Sequence, residues 1–88
     1  MKVEFLKDFE KQLKKEKSAA IKNNIYKVVQ KVIAASSLSD ISNCKKLEGH
    51  KTAFRIKSGD LRIGFFFEYE TVVFAAFDFR KDIYKKFP

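Results

Sequence analysis

The fold of this chain is decided by the stretch FRIKSGDLRI, which spans residues 54–63. In its first half Arg55 and Lys57 alternate with apolar residues, and in its second half Arg62 stands between two apolar residues. Alternation with a period of two on both sides of Ser58-Gly59 predicts two antiparallel strands joined by a two-residue turn. The stretch therefore predicts a β-hairpin with one apolar face and one basic face.

A turn at Ser58-Gly59 sets the expected register of this hairpin. Lys57 is then opposite Asp60, and opposite charges stabilise such a pair. Arg55 is opposite Arg62, and like charges destabilise it. A site that gathers positive charge at a cost in stability is suited to an anion, and phosphate is the first candidate.

The residues before the hairpin predict one strand and two helices. Residues 1–5 alternate and predict a short strand, Asp8 is expected to cap a helix that runs to about Lys17, and Ser18 is expected to cap a second helix. The apolar residues of this second helix recur at i, i+4, i+7 and i+8, as in an amphipathic helix. They are Ile21, Ile25, Val28, Val29, Val32 and Ile33. We expect this stripe to be core and the two helices to form an antiparallel hairpin.

The remaining residues complete an α+β domain. Three strands are expected over residues 51–57, 60–67 and 71–77, after a connecting segment over 41–50 with Leu47 as its anchor. Residues 81–87 are expected to form one helical turn or a tail. The order predicts a single domain, residues 1–88, in which the N-terminal strand and an antiparallel three-stranded meander form one sheet with the helical hairpin on one face. The basic hairpin residues then lie on the opposite, uncovered face. The apolar residues expected to face the helices are Phe54, Ile56, Leu61, Ile63 and Phe65.

Composition limits the class of protein. The net charge of +8 and the pI of about 9.7 favour a polyanionic partner, nucleic acid first. Apolar residues make up 45% of the chain, with ten Phe, which supplies a packed core. The single Cys44 excludes an internal disulfide and favours a reducing compartment, and as a lone cysteine it is expected to act as a small hydrophobe. No signal peptide or membrane-length apolar run is present, so a cytoplasmic protein without membrane contact is expected.

Several kinds of cofactor site are not indicated by the sequence. It contains no Gly-rich phosphate loop and no Cys/His set with zinc spacing. No Ser-His-Asp arrangement is suggested either. We therefore expect neither a metal nor a small-molecule cofactor.

Three segments carry a resemblance to a known family. They are Lys46–His50 (KLEGH), the stretch over residues 54–63, and Arg80–Tyr84 (RKDIY). Together they resemble the RelE/ParE superfamily of bacterial type II toxins, and the resemblance covers nearly the whole chain because the helical hairpin also fits. It implies a RelE-like microbial RNase-type fold and a small toxin held inactive by an antitoxin from the same operon.

The resemblance leaves more than one function open. RelE-like members enter the ribosomal A site and cut mRNA, whereas ParE-like members inhibit DNA gyrase without enzymatic activity. The two branches share a fold, so the fold alone does not choose between them. A third alternative is a degenerate RNA-binding module without toxicity. The basic and aromatic residues that the chain retains favour the ribosome-dependent mRNA endonuclease, with ribosome, mRNA and a cognate antitoxin as partners.

The family's functional positions map onto this chain residue by residue. Arg55 and Lys57 match the basic pair of a RelE-like strand, and Arg62 matches the arginine of the following strand. Arg80 and Tyr84 match the basic and aromatic positions near the C terminus. The resemblance implies that the catalytic residues are Lys57, Arg62, Arg80 and Tyr84, and that the RNA-binding residues are Arg55, Lys46, His50 and Lys51.

Two positions depart from the family pattern. Many relatives carry His immediately before the terminal arginine, where this chain has Phe79, and this change removes a candidate general acid or base. Relatives often carry Tyr before the strand arginine, where this chain has Leu61, and this change removes a stacking surface. His50, the only histidine, is either an acid–base group or a solvated turn residue.

The implied reaction is attack of a ribose 2′-OH on the adjacent phosphate with expulsion of the 5′-oxygen. Arg62 and Arg80 suit stabilisation of the phosphorane, because guanidinium pairs bidentately with phosphate oxygens. Lys57 is the candidate base because neighbouring cations favour the neutral amine, whereas its predicted partner Asp60 favours the charged form, and the sequence does not decide between the two effects. Tyr84 stacks on a base or supplies a proton. An acidic or amphipathic antitoxin segment is expected to cover the basic face or to pack along the helical hairpin.

Overall fold

One five-stranded sheet organises the chain in the computed structural model, which describes all 88 residues. The strand order is β1-β5-β4-β3-β2; β1 is parallel to β5 and the other pairs are antiparallel. The elements are β1 (Lys2–Phe5), α1 (Lys7–Lys15), α2 (Ala19–Ala34), a 3₁₀ turn (Leu38–Asp40), β2 (Cys44–Lys46), β3 (Ala53–Ser58), β4 (Leu61–Glu68), β5 (Thr71–Phe79) and a 3₁₀ segment (Arg80–Lys85). The predicted α+β class is confirmed. We call residues 80–88 the C-terminal tail.

Strand β2 was not predicted from the sequence. It lies within residues 41–50, which were expected to be only a connecting segment, and it adds a fifth strand at the edge of the sheet. Its three residues are too few to show an alternating pattern. Only Cys44 packs against the main core, as a half-buried residue, whereas Lys45 and Lys46 are exposed.

The β3–β4 hairpin has a different register from the predicted one. Ser58 pairs with Leu61, so the two-residue turn is Gly59-Asp60 and not Ser58-Gly59. Gly59 has a φ of +61° at the first turn position, where glycine is favoured in hairpin turns of this length. Ser58 belongs to the strand, and its hydroxyl donates to the Asn24 side chain on α2 at 2.5 Å.

The corrected register changes which charges meet across the strands. Lys57 lies opposite Arg62, and Arg55 lies opposite Gly64. The predicted pairs Lys57–Asp60 and Arg55–Arg62 are therefore wrong. One like-charged pair thus remains within this hairpin, and on its other side Arg62 lies opposite the carboxylate of Asp78 on β5.

Both helices cover the same face of the sheet. From α1, Phe9 is fully buried, and four residues of the α2 stripe are buried with it: Ile25, Val28, Val29 and Val32. They form one cluster with the inward residues of β3 and β4, as predicted. Ile33 is 44% exposed, so its assignment to the core was wrong.

The predicted helix caps had different outcomes. Ser18 caps α2 as expected, since its Oγ accepts a hydrogen bond from Ile21 N at 3.2 Å. The predicted cap at Asp8 is wrong, because α1 begins after Leu6 and has no side-chain cap. Asp8 lies instead in the first turn, where a negative charge complements the helix dipole.

The second face of the sheet is partly covered by the C-terminal tail. Ile83 and Phe87 are buried there, and they pack on three alanines with Leu47 and Phe66 beside them. The alanines are Ala53, Ala75 and Ala76. The face that carries Arg55 and Arg62 was expected to be uncovered, and this expectation was wrong because the tail residues Ile83 and Phe87 supply a small second core.

The second half of strand β5 has an unpaired edge, which a glutamine from α1 protects. Strand β1 pairs only with Thr71–Phe74, so the edge of β5 beyond Phe74 has no strand partner. The Gln12 side chain donates to Phe77 O at 2.5 Å and accepts from Phe77 N at 3.1 Å. The amide thus satisfies both backbone groups of one edge residue, as a neighbouring strand would.

Replacing Gln12 with alanine is expected to lower the free energy of unfolding by about 1–2 kcal/mol, because two backbone hydrogen bonds are lost. The matched control is Gln30→Ala, since Gln30 is exposed on α2. Urea unfolding of the two variants measures the difference. Equal stabilities would show that the Gln12 bonds contribute nothing net.

Candidate functional site

An open cavity of about 830 Å³ lies at the β2 edge of the sheet. Its lining consists of residues 45–51 together with Arg55 and Tyr84, and we call it the basic cavity. All four residues predicted to bind RNA line it, and so does one of the four predicted to be catalytic. The sequence spread these five residues over 39 positions, from 46 to 84, and the fold brings them to one place.

Strand pairing and a short loop build the wall of the basic cavity. Lys45 lies directly opposite Arg55 in the β2–β3 ladder, so two cations face each other. Leu47 N donates to Ala53 O at 2.8 Å, and His50 N donates to Leu47 O at 3.3 Å, which closes the loop. Leu47 packs against the second core, as its predicted role of anchor requires.

The guanidinium of Arg55, which lines this cavity, is held by a backbone carbonyl. Its Nη1 donates to Asn43 O at 3.2 Å, and Asn43 adopts a left-handed conformation with φ +59°. Asparagine tolerates that region better than most residues. The segment before β2 thus bends so that a backbone carbonyl meets the arginine.

A second group of cations lies at the β3–β4 turn, and we call it the arginine cluster: Lys57, Arg62 and Arg80. Lys57 is opposite Arg62 in the ladder. Arg62 Nη1 donates to Gly59 O at 2.7 Å and to Leu61 O at 3.2 Å, which holds the guanidinium against the turn. An arginine has five N–H donors, so most of them stay available to a ligand.

Arg80 is attached to the same turn by Asp60. Its backbone N–H donates to Asp60 O at 2.9 Å, and its Nε lies 3.4 Å from Asp60 Oδ1. Both side chains are more than 70% exposed, so the ion pair adds little stability, and it sets the guanidinium beside the turn. Arg80 also has a positive φ of +24°, an unfavourable conformation for a residue with a side chain, which the bond to Asp60 helps to maintain.

The two groups of cations adjoin on one sheet face. Arg55 and Lys57 are two residues apart on β3 and point the same way, so their Cα atoms are about 7 Å apart. Tyr84 lies in the basic cavity, whereas the other three predicted catalytic residues lie outside its lining. The structure therefore divides the predicted catalytic set between two neighbouring places.

Sequence reasoning missed two contributors to this surface. Lys45 was overlooked because strand β2 was not recognised, and that strand would have placed it beside Arg55. Asp60 was expected to face Lys57, but it binds Arg80. Phe79 is 46% exposed immediately before Arg80, at the position where many relatives carry histidine.

The thiol of Cys44 is not activated. Burial raises its pKa to about 11, and the nearby charge of Arg55 offsets that rise only in part. A neutral, half-buried thiol fits the structural role expected for a lone cysteine. No cluster of three His, Cys, Asp or Glu side chains is placed to hold a metal ion, and no helix is long and apolar enough to cross a membrane.

Asp78 connects strand β5 to the C-terminal tail. Burial alone would raise its pKa, but this effect is outweighed by hydrogen bonds from Lys86 Nζ at 2.8 Å and Phe79 N at 2.7 Å and by the charges of Lys86 and Lys85. The pKa of this carboxyl is therefore lower than the usual 3.8. A lowered folded-state pKa gives stability that is present above 3.8 and is lost as the pH falls through the folded value.

We expect Asp78→Asn to be less stable than the parent chain at pH 7 and equally stable at a pH below the folded-state pKa of Asp78, where the carboxyl is protonated in both states. Urea unfolding at both pH values measures the two differences. The control is Asp82→Asn, because Asp82 forms only an exposed i,i+3 pair with Lys85 at 3.5 Å. A stability difference for Asp78→Asn that does not change with pH would contradict the assignment.

Two helices on one face of a sheet, with cations and an exposed tyrosine on the other, define a small α+β protein suited to a polyanionic ligand. Within that class, the chain belongs to the RelE family of toxins from toxin–antitoxin systems. It is 35% identical to Toxin RelE3 of Methanocaldococcus jannaschii over 89 residues, which cover 100% of both chains. No family model matches the chain.

Solved structures agree with this membership. The RelB-RelE antitoxin-toxin complex from Methanococcus jannaschii contains a chain with a TM-score of 0.77 and 30% identity, and the match covers 97% of this chain and 99% of that one. The intact E. coli RelBE toxin-antitoxin complex gives a TM-score of 0.69 at 17% identity, with 91% and 96% covered. At that identity the second likeness concerns the fold alone. The predicted resemblance to the superfamily is confirmed on its RelE side.

Proposed function

We propose that this toxin is a ribosome-dependent mRNA endonuclease that inhibits translation. The observation that carries the proposal is the register pair of Lys57 and Arg62, beside which Asp60 holds Arg80. Arg62 faces Lys57 on β3 and Asp78 on β5, and that carboxylate is already paired with Lys86 at 2.8 Å. Cations gathered in this way suit a phosphoryl ligand, because guanidinium groups bind phosphate oxygens bidentately.

In this proposal the two arginines stabilise the phosphate that is attacked. The ribose 2′-OH attacks the adjacent phosphorus, the bond to the 5′-oxygen breaks, and a 2′,3′-cyclic phosphate and a 5′-OH are formed. Negative charge grows on the non-bridging oxygens, which guanidinium groups bind bidentately. Arg62 is held against the turn by two backbone carbonyls, so its guanidinium needs little reorganisation when the charge develops, and Arg80 is kept near the same turn by Asp60.

Proton transfer falls to neighbouring side chains. Lys57 is opposite Arg62 in the ladder and lacks the carboxylate partner that the predicted register gave it. We assign it as the group that accepts the 2′-OH proton. Phe79 supplies no acid–base group, whereas His50 and Tyr84 line the same cavity. In this proposal Tyr84 stacks on a base, and His50 or Tyr84 protonates the leaving oxygen.

The basic cavity provides the path for the RNA next to the reacting phosphate. Its cations Lys45, Lys46, Lys51 and Arg55 continue the arginine cluster along the sheet. The net charge of +8 supports attraction to a polyanion such as mRNA on the ribosome. The exposed face of Tyr84 offers a surface on which a base stacks.

Primer extension on an mRNA translated in a purified system tests the function. We expect wild-type protein to produce defined cuts when ribosomes are present and few or none when the same mRNA is naked, because the ribosome orients the substrate. An intact message in both reactions would remove the endonuclease proposal. A gyrase supercoiling assay then decides whether the protein acts as the non-enzymatic inhibitor of the other branch.

We further propose that a cognate antitoxin with an acidic amphipathic helix occupies an apolar groove of about 550 Å³. The groove is lined by residues of β1, α1 and α2, including the half-exposed Phe5, Tyr26 and Ile33. Lys22 lies on its wall, and the whole chain carries +8, so acidic residues beside the apolar stripe of the helix are complementary. The related complex from Methanococcus jannaschii, by its name, joins an antitoxin to such a toxin.

Co-expression with a candidate antitoxin from the same operon tests this partner. Native mass spectrometry is expected to show a complex with the wild-type toxin and none with Ile33→Asp, which places a charge in the groove. The matched control is Lys46→Asp, a charge change in the basic cavity on the opposite edge of the sheet. Loss of the complex in the control alone would place the antitoxin on the basic face instead.

A further inference from the structure

We propose that Phe87, seated on Gly64, is a positioning residue that holds Tyr84 in the basic cavity. The ring of Phe87 is 2% exposed and packs on the second face of the sheet, three residues beyond Tyr84. The proposal rests on the proposed function only for the part that Tyr84 plays in cleavage. The packing and the position of Tyr84 are testable without any RNA.

Gly64 leaves the space that the ring of Phe87 fills. A Cβ built at Gly64 would lie 2.7 Å from both Cγ and Cε2 of Phe87, closer than real carbon atoms approach. No unusual backbone angle requires glycine here, because Gly64 is not among the residues with positive φ. Glycine at this position in the middle of β4 is therefore explained by the close approach of the ring.

Small residues continue this seat beyond Gly64. Ala76 is the cross-strand partner of Gly64, and Ala75 lies at the irregularity where the β4–β5 register shifts. Both alanines are buried beneath the tail. On the far side the ring centroid of Phe66 lies 5.1 Å from that of Phe87. The sheet thus forms a shallow hole, and Phe87 fills it.

The tail is fastened on both sides of Tyr84. At its start Arg80 N donates to Asp60 O at 2.9 Å. At its end Phe87 N donates to Ile83 O at 2.9 Å, and Lys86 pairs with Asp78 at 2.8 Å. The side chain of Tyr84 is 53% exposed and forms no hydrogen bond, so the position of its ring depends on these neighbours.

Two of these neighbours, Ile83 and Phe87, are buried. Ile83 is 0% exposed and packs with Phe87 in the same small cluster. Tyr84 and Phe87 also line a common crevice with His50. Displacing the ring of Phe87 therefore moves the segment that presents Tyr84 to the cavity wall, whereas the main core behind the sheet is untouched.

Fluorine NMR on protein labelled with 3-fluorotyrosine tests the positioning directly. The chain has three tyrosines, and Tyr26 on α2 and Tyr69 in the β4–β5 turn serve as internal references. In Gly64→Ala we expect the Tyr84 signal to move or broaden and the other two to stay in place. Phe87→Ala is expected to affect the same signal.

The matched control is Val28→Ala. Val28 is buried in the main core on the helix face, so this variant loses stability without touching the tail. We expect it to leave the Tyr84 signal unchanged. The control separates a general loss of stability from a displacement of the tail.

Coupling between the two variants identifies the Phe87–Gly64 contact as the cause. Gly64→Ala is expected to reduce the single-turnover cleavage rate by about tenfold to a hundredfold at saturating ribosomes, since small misplacements of catalytic groups have effects of that size. With Phe87→Ala already present, adding Gly64→Ala is expected to change neither the rate nor the Tyr84 signal further.

An unmoved Tyr84 signal in Gly64→Ala, or effects of the two substitutions that simply add, would overturn the positioning role. Failure of the proposed function is a separate outcome. If the wild-type protein does not cut mRNA, the fluorine signals and their coupling still decide whether Phe87 positions Tyr84.

Discussion

Replacing Arg62 with alanine is expected to lower the rate of ribosome-dependent mRNA cleavage by about 10²–10³-fold, the usual effect of losing one preorganised donor to a developing oxyanion. Single-turnover primer extension at saturating ribosomes measures it. Arg62→Lys is expected to be intermediate, because lysine keeps the charge but cannot bind two phosphate oxygens at once. Cleavage that is undiminished in Arg62→Ala would remove the assignment of this residue.

The same substitution is expected to leave the fold intact and to change its stability by less than about 1 kcal/mol. It removes the like-charged partner of Lys57 on β3, but it also removes the cation opposite Asp78 on β5 and two hydrogen bonds to the turn. Urea unfolding of Arg62→Ala measures this difference. The control is Lys81→Ala, since Lys81 is an exposed tail cation next to Arg80 and has no assigned role. A large loss of activity together with a small change in stability separates a functional residue from a structural one.

Replacing Phe74 with alanine is expected to remove about 3–5 kcal/mol of stability, as truncation of a buried phenylalanine usually does. Phe74 is 0% exposed at the centre of an aromatic group. Its ring centroid lies 5.4 Å from that of Phe5, 5.7 Å from that of Phe9 and 6.2 Å from that of Phe65. These rings join β1, α1 and β4 to β5, so the cavity left by the substitution weakens four elements at once.

A loss of about 3–5 kcal/mol is a large part of the total free energy of unfolding. A chain of 88 residues has roughly 4–13 kcal/mol of stability in all. Thermal and urea unfolding are expected to show a lower midpoint, by at least about 12 °C in the thermal case. Tyr26→Ala, at a site that is 64% exposed, is the control and is expected to have a small effect. Similar losses of stability in Phe74→Ala and Tyr26→Ala would mean that the aromatic group does not contribute more to stability than an exposed ring.

The faces of the sheet were predictable from the sequence, but the register of the hairpin was not. Period-two alternation assigns Ile56 and Ile63 to the core wherever the turn lies. Moving the turn from Ser58-Gly59 to Gly59-Asp60 keeps every inward residue inward and changes only the cross-strand partners. The partner of Arg80 therefore had to come from the structure, because Asp60 is 20 residues away from it in the sequence.

Short elements were less predictable than long ones. Strand β2 has three residues, too few for a pattern, yet it places Lys45 beside Arg55. Residues 81–87 were expected to form one helical turn or a tail. The packing of the tail depends on the absence of a side chain at Gly64, and a missing side chain leaves no periodic pattern in the sequence. The candidate residues themselves came from the family resemblance, and the fold gathers five of the eight around one cavity.

The apolar groove and the basic cavity lie at opposite edges of the sheet. Residues of β1 line the groove and residues of β2 line the cavity, with three strands between them. Four interstrand spacings amount to about 19 Å. An extended chain covers at most about 3.3–3.6 Å per residue, so a linker of at least six residues must join any helix in the groove to a segment that blocks the cavity. An antitoxin truncated within this linker would still bind the groove of the toxin, but it would not reach the basic cavity and would leave the toxin active.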